Sequence, residues 1–179
     1  YSKIKKNKEI LNYASLAISV ISSVFCKKKV TDFNTDNWDD FIKFCAEHKI
    51  LNIVAFGLIN SDVELPEKIK RIFNESILRS MMIEAQRSTE IELLCDDFEA
   101  NKIPHIVLKG FVIKNLYPQP YLRSMGDVDI LVGNELQKAT EIMLNHGYSF
   151  DSEEFLHGSF SKGKGLHVEL HKSLIDESL

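Results

Sequence analysis

The sequence predicts an α+β protein. A helical N-terminal region spans residues 1–101, and an α/β core over 102–179 carries a small mixed sheet flanked by helices. Three observations lead there. Apolar residues in the first hundred positions recur at helical spacing, without strict alternation. Beyond residue 102, short β-runs alternate with helical stretches. Finally, 179 residues with 44% apolar and 27% charged side chains suffice for a packed core and argue against disorder.

The first helix is expected over 11–26, with Leu11, Ala14, Ile18, Ile21 and Phe25 as its buried stripe and serines opposite. Lys3, Lys5, Lys6 and Lys8 precede it and Lys27, Lys28 and Lys29 follow, which gives it the flanks of a signal peptide. It is shorter than the ~18–20 apolar residues of a span and has no small-residue cleavage site, so no membrane span is expected. A packed surface helix is the expectation, and a membrane-surface anchor the alternative. Asp36 or Asn37 is expected to cap a helix over 38–47, with Phe41, Phe44 and Cys45 on one face. Another helix fits 50–59. Pro66 opens a long one over 66–101, with a break near Ser88.

In the second half, 103–109 reads as a β-run ended by Gly110, and 111–116 as a short helix stopped by the Tyr-Pro-Gln-Pro of 117–120. A strand is expected over 127–132, a helix over 135–145, two strand-like pieces within 148–160, and a strictly alternating strand over 166–171. The three cysteines, Cys26, Cys45 and Cys95, lack C-x-x-C spacing and lie in apolar stretches. They read as buried hydrophobes in a reducing compartment, so a cytoplasmic location is expected. The net charge of −4 disfavours bulk nucleic-acid binding. The chain opens on Tyr1, which suggests a piece of a longer protein.

The residues with chemistry cluster in three places. Asp127 and Asp129, two apart in a β-run, project from one face of a strand, while Val128, Ile130 and Val132 face a core. Two unpaired carboxylates repel, and a hard divalent cation relieves that repulsion. A solvated acidic strand end is the plain alternative. In 166–171, Leu166, Val168 and Leu170 form one face and His167, Glu169 and His171 the other. If this strand lies beside 127–132, Glu169 becomes a third carboxylate over the same site. Three carboxylates on two strands suit a two-metal phosphoryl or nucleotidyl transfer site. The His-x-Glu-x-His pattern also admits zinc, although it is not the helical H-E-x-x-H arrangement. Lys109-Gly110 ends the first β-run and opens a helix, where backbone N–H groups can meet a phosphate. Arg123 is a further cation near the acidic strand in sequence.

These residues carry a resemblance. The run IVLKGFVIKNLYPQPYLRSMGDVDILV, a helix, His-Gly-Tyr and then HVELH resemble the nucleotidyltransferase superfamily typified by DNA polymerase β. More narrowly, they resemble the bacterial family described as uncharacterised nucleotidyltransferase, with its Leu-Lys-Gly turn, Arg-x-Met-x-Asp-hydrophobic-Asp strand and Glu-Leu-His strand. Asn37-Trp38 and Ala46-Glu47-His48 are similar to its helical N-terminal region. The likeness covers 36–179 and is most specific in 107–132 and 166–171. It implies Asp127, Asp129 and Glu169 as metal-binding and catalytic carboxylates, Glu169 also activating the acceptor hydroxyl. It implies Mg²⁺ in a two-metal site, or Mn²⁺, and an NTP as substrate. Lys109, Gly110, Arg123 and His171 are then substrate-binding. Gly110 matches the glycine of the superfamily's Gly-Ser turn, but Phe111 stands where serine belongs, so Lys109 or Arg123 is expected to help hold the triphosphate. Such folds continue past the third catalytic strand, so the C-terminal helices are expected beyond residue 179.

The implied activity is transfer of an NMP from an NTP to the hydroxyl of a small molecule or protein, with pyrophosphate release. Two other readings stand beside it. One is a non-catalytic nucleotide-binding or regulatory module. The other is a D-x-D metal-dependent glycosyltransferase, disfavoured by about 100 helical residues ahead of the motif.

Overall fold

A computed structural model describes residues 2–35, 37–153, 157–163 and 165–174, and side chains from residue 9 onward except that of residue 153. The elements in order are α1 (Ser2–Phe25), α2 (Trp38–Glu47), α3 (Leu51–Ile59), α4 (Glu67–Ala100), β1 (Ile106–Val107), α5 (Lys109–Ile113), β2 (Asp127–Leu131), α6 (Leu136–Asn145), β3 (Ser149–Glu153), β4 (His157–Lys162) and β5 (Leu166–His171). The α+β expectation holds, with a helical N-terminal part and a five-stranded mixed sheet. No helix among the described residues is long and apolar enough to cross a membrane.

The chain divides into two compact units, residues 1–83 with 116–124, and residues 84–115 with 125–179. The first is helical. Its core joins Ala17 and Val20 of α1, Phe41 and Cys45 of α2, Val54, Ala55 and Leu58 of α3, and Ile69 and Phe73 of α4. Asn37 caps α2 as expected, its side chain accepting from the Asp40 N–H at 3.1 Å. The alternative cap, Asp36, lies outside the described residues, as do the side chains of Lys3, Lys5, Lys6 and Lys8.

The buried stripe of α1 is not the expected one. Leu11 and Ile18 are largely exposed and Phe25 is 45% exposed, while Ala17, Val20 and Val24 are buried. The larger apolar side chains set the sequence pattern, but close approach sets the seam. Gly57 of α3 faces Val20 and Val24 so tightly that an added Cβ would lie 2.6 and 2.8 Å from their methyl groups. Small and β-branched residues fit that contact, and leucine and phenylalanine do not. The reading of all three cysteines as buried also changes: Cys45 is buried, Cys95 half-buried and Cys26 exposed. Cys26 lies just past the end of α1, outside the packed seam.

Helix ends follow a common geometry. Lys27, Lys49 and Lys102 each take a left-handed φ, between 54° and 57°, just after α1, α2 and α4. Each is followed by a long bond back across the last turn: Lys28 N–H to the Ser23 carbonyl (2.8 Å), Ile50 N–H to Cys45 (2.9 Å) and Ile103 N–H to Phe98 (2.8 Å). These are Schellman ends, with lysine where glycine is usual.

In the second unit the strand order is β1-β2-β5-β4-β3. β2 and β5 run parallel; β1–β2, β5–β4 and β4–β3 are antiparallel. Val128, Ile130, Val168, Leu170 and Phe160 send one face of the sheet into a core with Ile91, Leu94 and Phe98 of α4 and Ala139 and Met143 of α6. The opposite face is polar. The expected strand over 103–109 shrinks to Ile106–Val107. Ile103 is spent closing the end of α4, and Leu108 bonds through its N–H to the Asp129 carbonyl (2.8 Å) before α5 begins. The break foreseen at Ser88 is absent. The Ser88 hydroxyl donates to Glu84 (2.8 Å) and accepts from Lys114 (2.8 Å), so it is satisfied without disturbing α4.

Candidate active site

Strand alternation and register build the polar face. In the parallel pair, Asp127 lies opposite His167, Asp129 opposite Glu169, and Leu131 opposite His171. β4 continues the row, with Ser159 opposite Glu169 and His157 opposite His171. Val128 and Ile130 anchor β2 in the core, and Val168 and Leu170 anchor β5, so the side chains between them must point to the other face.

Asp129 is the centre. Its Oδ1 lies 2.9 Å from His171 Nε2 and its Oδ2 3.7 Å from Lys109 Nζ. Glu169 Oε2 lies 3.5 Å from His171 Nε2 and 4.0 Å from His157 Nε2. The two imidazole rings are 5.2 Å apart. Asp129 and His171 are mostly buried, and Glu169 and His157 are a little more open. Two carboxylates at neighbouring positions are thus interleaved with two imidazoles, and the Lys109 ammonium beside Asp129 brings a positive charge to the acids.

One ligand atom each from Asp129, Glu169 and His171 lie within 4.8 Å of one another, a spacing that fits a single cation. Two carboxylates with an imidazole are a sound donor set for a divalent ion. Asp127 is outside that group. It is exposed on the same face, one side-chain repeat further along β2, and His167 opposite it is exposed too. Lys109 reaches the cluster from a strained start to α5, with φ 38° in the left-handed region, and Gly110 follows as the second residue of that short helix. The left-handed turn therefore falls on the lysine, not on the glycine. Arg123 belongs to the first compact unit, where it ends the 3-10 turn Pro120–Leu122.

The sequence reading missed two groups of residues. His157 is one, because 157–162 carries a single large apolar residue, Phe160, and lacks the strict alternation of 166–171. Beneath β2, α4 carries a polar network. Lys114 Nζ meets Glu84 Oε1 at 2.5 Å and lies 3.3 Å from the centre of the Phe111 ring. Arg87, 6% exposed, donates from Nη2 to the Met125 carbonyl (3.3 Å), two residues before Asp127. Burial pulls the Arg87 guanidinium below its usual range, and the negative charges of Glu84 and Asp127 work against that shift. A lysine at position 114 amid apolar residues was the available signal for this network.

Comparison with known proteins gives one positive result, a match of the uncharacterised nucleotidyltransferase family model to residues 34–179. No curated protein and no solved structure matches. The matched span includes β2 and β5 with all the polar residues of their shared face, and by that match the chain belongs to the uncharacterised nucleotidyltransferase family.

Proposed function

We propose that the chain transfers an NMP from an NTP to the hydroxyl of a small molecule or protein, releasing pyrophosphate, with a divalent cation of the Mg²⁺ and Mn²⁺ class. The observation that carries this reading is the register of Asp129 against Glu169 on one sheet face, within a chain of a nucleotidyltransferase family. A bound cation would polarise the α-phosphate and offset charge on the pyrophosphate leaving group. Asp129 and Glu169 would hold it, with Asp127 at the open end of the strand on the triphosphate side. Glu169, the more exposed of the cluster's two acids, is suited to accept the acceptor's proton as its oxygen bonds to the α-phosphorus and the bond to pyrophosphate breaks. Lys109, with its ammonium largely exposed, is suited to a phosphate oxygen. A polymerase β-like ancestry and a bacterial source accord with the motifs.

The test is incubation of the protein with Mg²⁺ or Mn²⁺ and labelled NTPs, scored for pyrophosphate and labelled product. Pyrophosphate release that falls in Asp127→Asn and Asp129→Asn supports the reading. Absence of both NTP and cation binding, with those variants indistinguishable from the parent, overturns it.

A further inference from the structure

We propose that His171 is itself a cation ligand through Nε2, and that this nitrogen makes the site prefer first-row transition ions to Mg²⁺, in the order Co²⁺, Mn²⁺, Mg²⁺. The inference rests on the nucleotidyl-transfer reading and names the cofactor class of that site. His171 Nε2 stands 2.9 Å from Asp129 Oδ1 and 3.5 Å from Glu169 Oε2. These are the separations found between donors that share one ion with bonds of about 2.0–2.2 Å. Asp127, the oxygen donor expected from the D-x-D pattern, is not in the three-ligand group, and His171 is.

That exchange alters the chemistry of the site. Mg²⁺ takes oxygen ligands and water, whereas affinity for sites containing imidazole rises along the first transition row. His171 is also well placed to stay put. It is the last residue of β5, and its carbonyl accepts from the Val132 N–H (2.9 Å), which fixes the strand end against β2. While it donates to Asp129, His171 carries its proton on Nε2; ligation uses the other tautomer, with the proton on Nδ1. The groups facing the ring are Asp129, Glu169, the His157 imidazole and, across Asp129, the Lys109 ammonium.

Two measurements on the full chain test this without any assay of catalysis. Pulsed EPR of bound Mn²⁺ is expected to show coupling to a ¹⁴N nucleus in the parent protein and to lose it in His171→Asn. Calorimetric titration is expected to give Co²⁺ at least tenfold tighter binding than Mg²⁺. In His171→Asn, Co²⁺ binding weakens by roughly 10–100-fold and Mg²⁺ binding changes by less than about threefold. Bound Mn²⁺ with no ¹⁴N coupling in the parent overturns the proposal even if His171→Asn fails to fold. An unchanged Co²⁺-to-Mg²⁺ ratio in a folded His171→Asn also overturns it. Either result leaves nucleotidyl transfer standing if Mg²⁺ supports pyrophosphate release. Failure of every cation to bind removes both readings.

Discussion

Asp129 and Glu169 are cross-strand partners in a parallel pair, on the sheet face opposite the core. Neither is needed to hold the apolar packing, so their loss should separate function from stability. Glu169→Gln is expected to reduce nucleotidyl transfer by roughly 10³-fold, as removal of a proton acceptor does. Its Tm should shift by less than about 3 °C, the equivalent of roughly 1 kcal/mol in a chain of this size. Steady-state pyrophosphate release and a thermal melt check both halves.

Lys114 and Glu84 behave in the opposite way. Their side chains are 5% and 11% exposed, so removing one partner strands the other's charge in the interior. Lys114→Met is expected to cost about 3–5 kcal/mol, and Lys114→Met with Glu84→Leu to recover most of it. Urea midpoints of the two variants and the parent measure the difference.

Gly57→Ala is expected to destabilise the helical unit by about 1–3 kcal/mol, despite the better helix propensity of alanine. The new methyl would lie 2.6 Å from Val20 Cγ1 and 2.8 Å from Val24 Cγ2, and valine has little rotamer freedom in a helix with which to move away. Val20→Ala in the same background should return part of the loss, as read by chemical denaturation.

Burial pushes the Cys45 thiol from its ordinary value of 9.0 up to about 12. Between those values the unfolded chain has given up the proton and the folded chain has kept it. The folded state therefore binds more protons, and stability falls as pH rises above about 9. The half-buried Cys95 is raised by desolvation too, and adds to the same slope. Thermal melts from pH 8 to 10 should show a falling Tm. A thiol reagent at pH 8 should label Cys26, which is exposed, well before Cys45.

Much of this was readable where local signals agree with the final packing. Asn37, the apolar face of α2 and the alternation of 166–171 each placed an element to the residue, and the same alternation set Asp129 and Glu169 on one face once their strands were taken as neighbours. The remainder depends on partners distant in sequence. The α1 seam is chosen by Gly57, and β1 is shortened by the Schellman end of α4 and by Leu108 bonding to Asp129. His157 joins the site only through the β4–β5 register, and Lys114 is buried only because Glu84 and Ser88 meet it from another helix. Spacing within a single segment holds none of that information.

The parallel β2–β5 pair has a consequence for the order of assembly. β3, β4 and β5 are successive antiparallel strands joined by short connections, and they can zip locally. Asp129 and Glu169 are about 40 residues apart in sequence, so their pairing closes a long loop that contains α6 and both hairpins. The cluster forms only once that loop is closed, and a cation held there would bind the paired strands and not a chain in which β2 and β5 are apart. Such an ion would act as a clasp on the completed fold, raising Tm in proportion to the logarithm of its concentration.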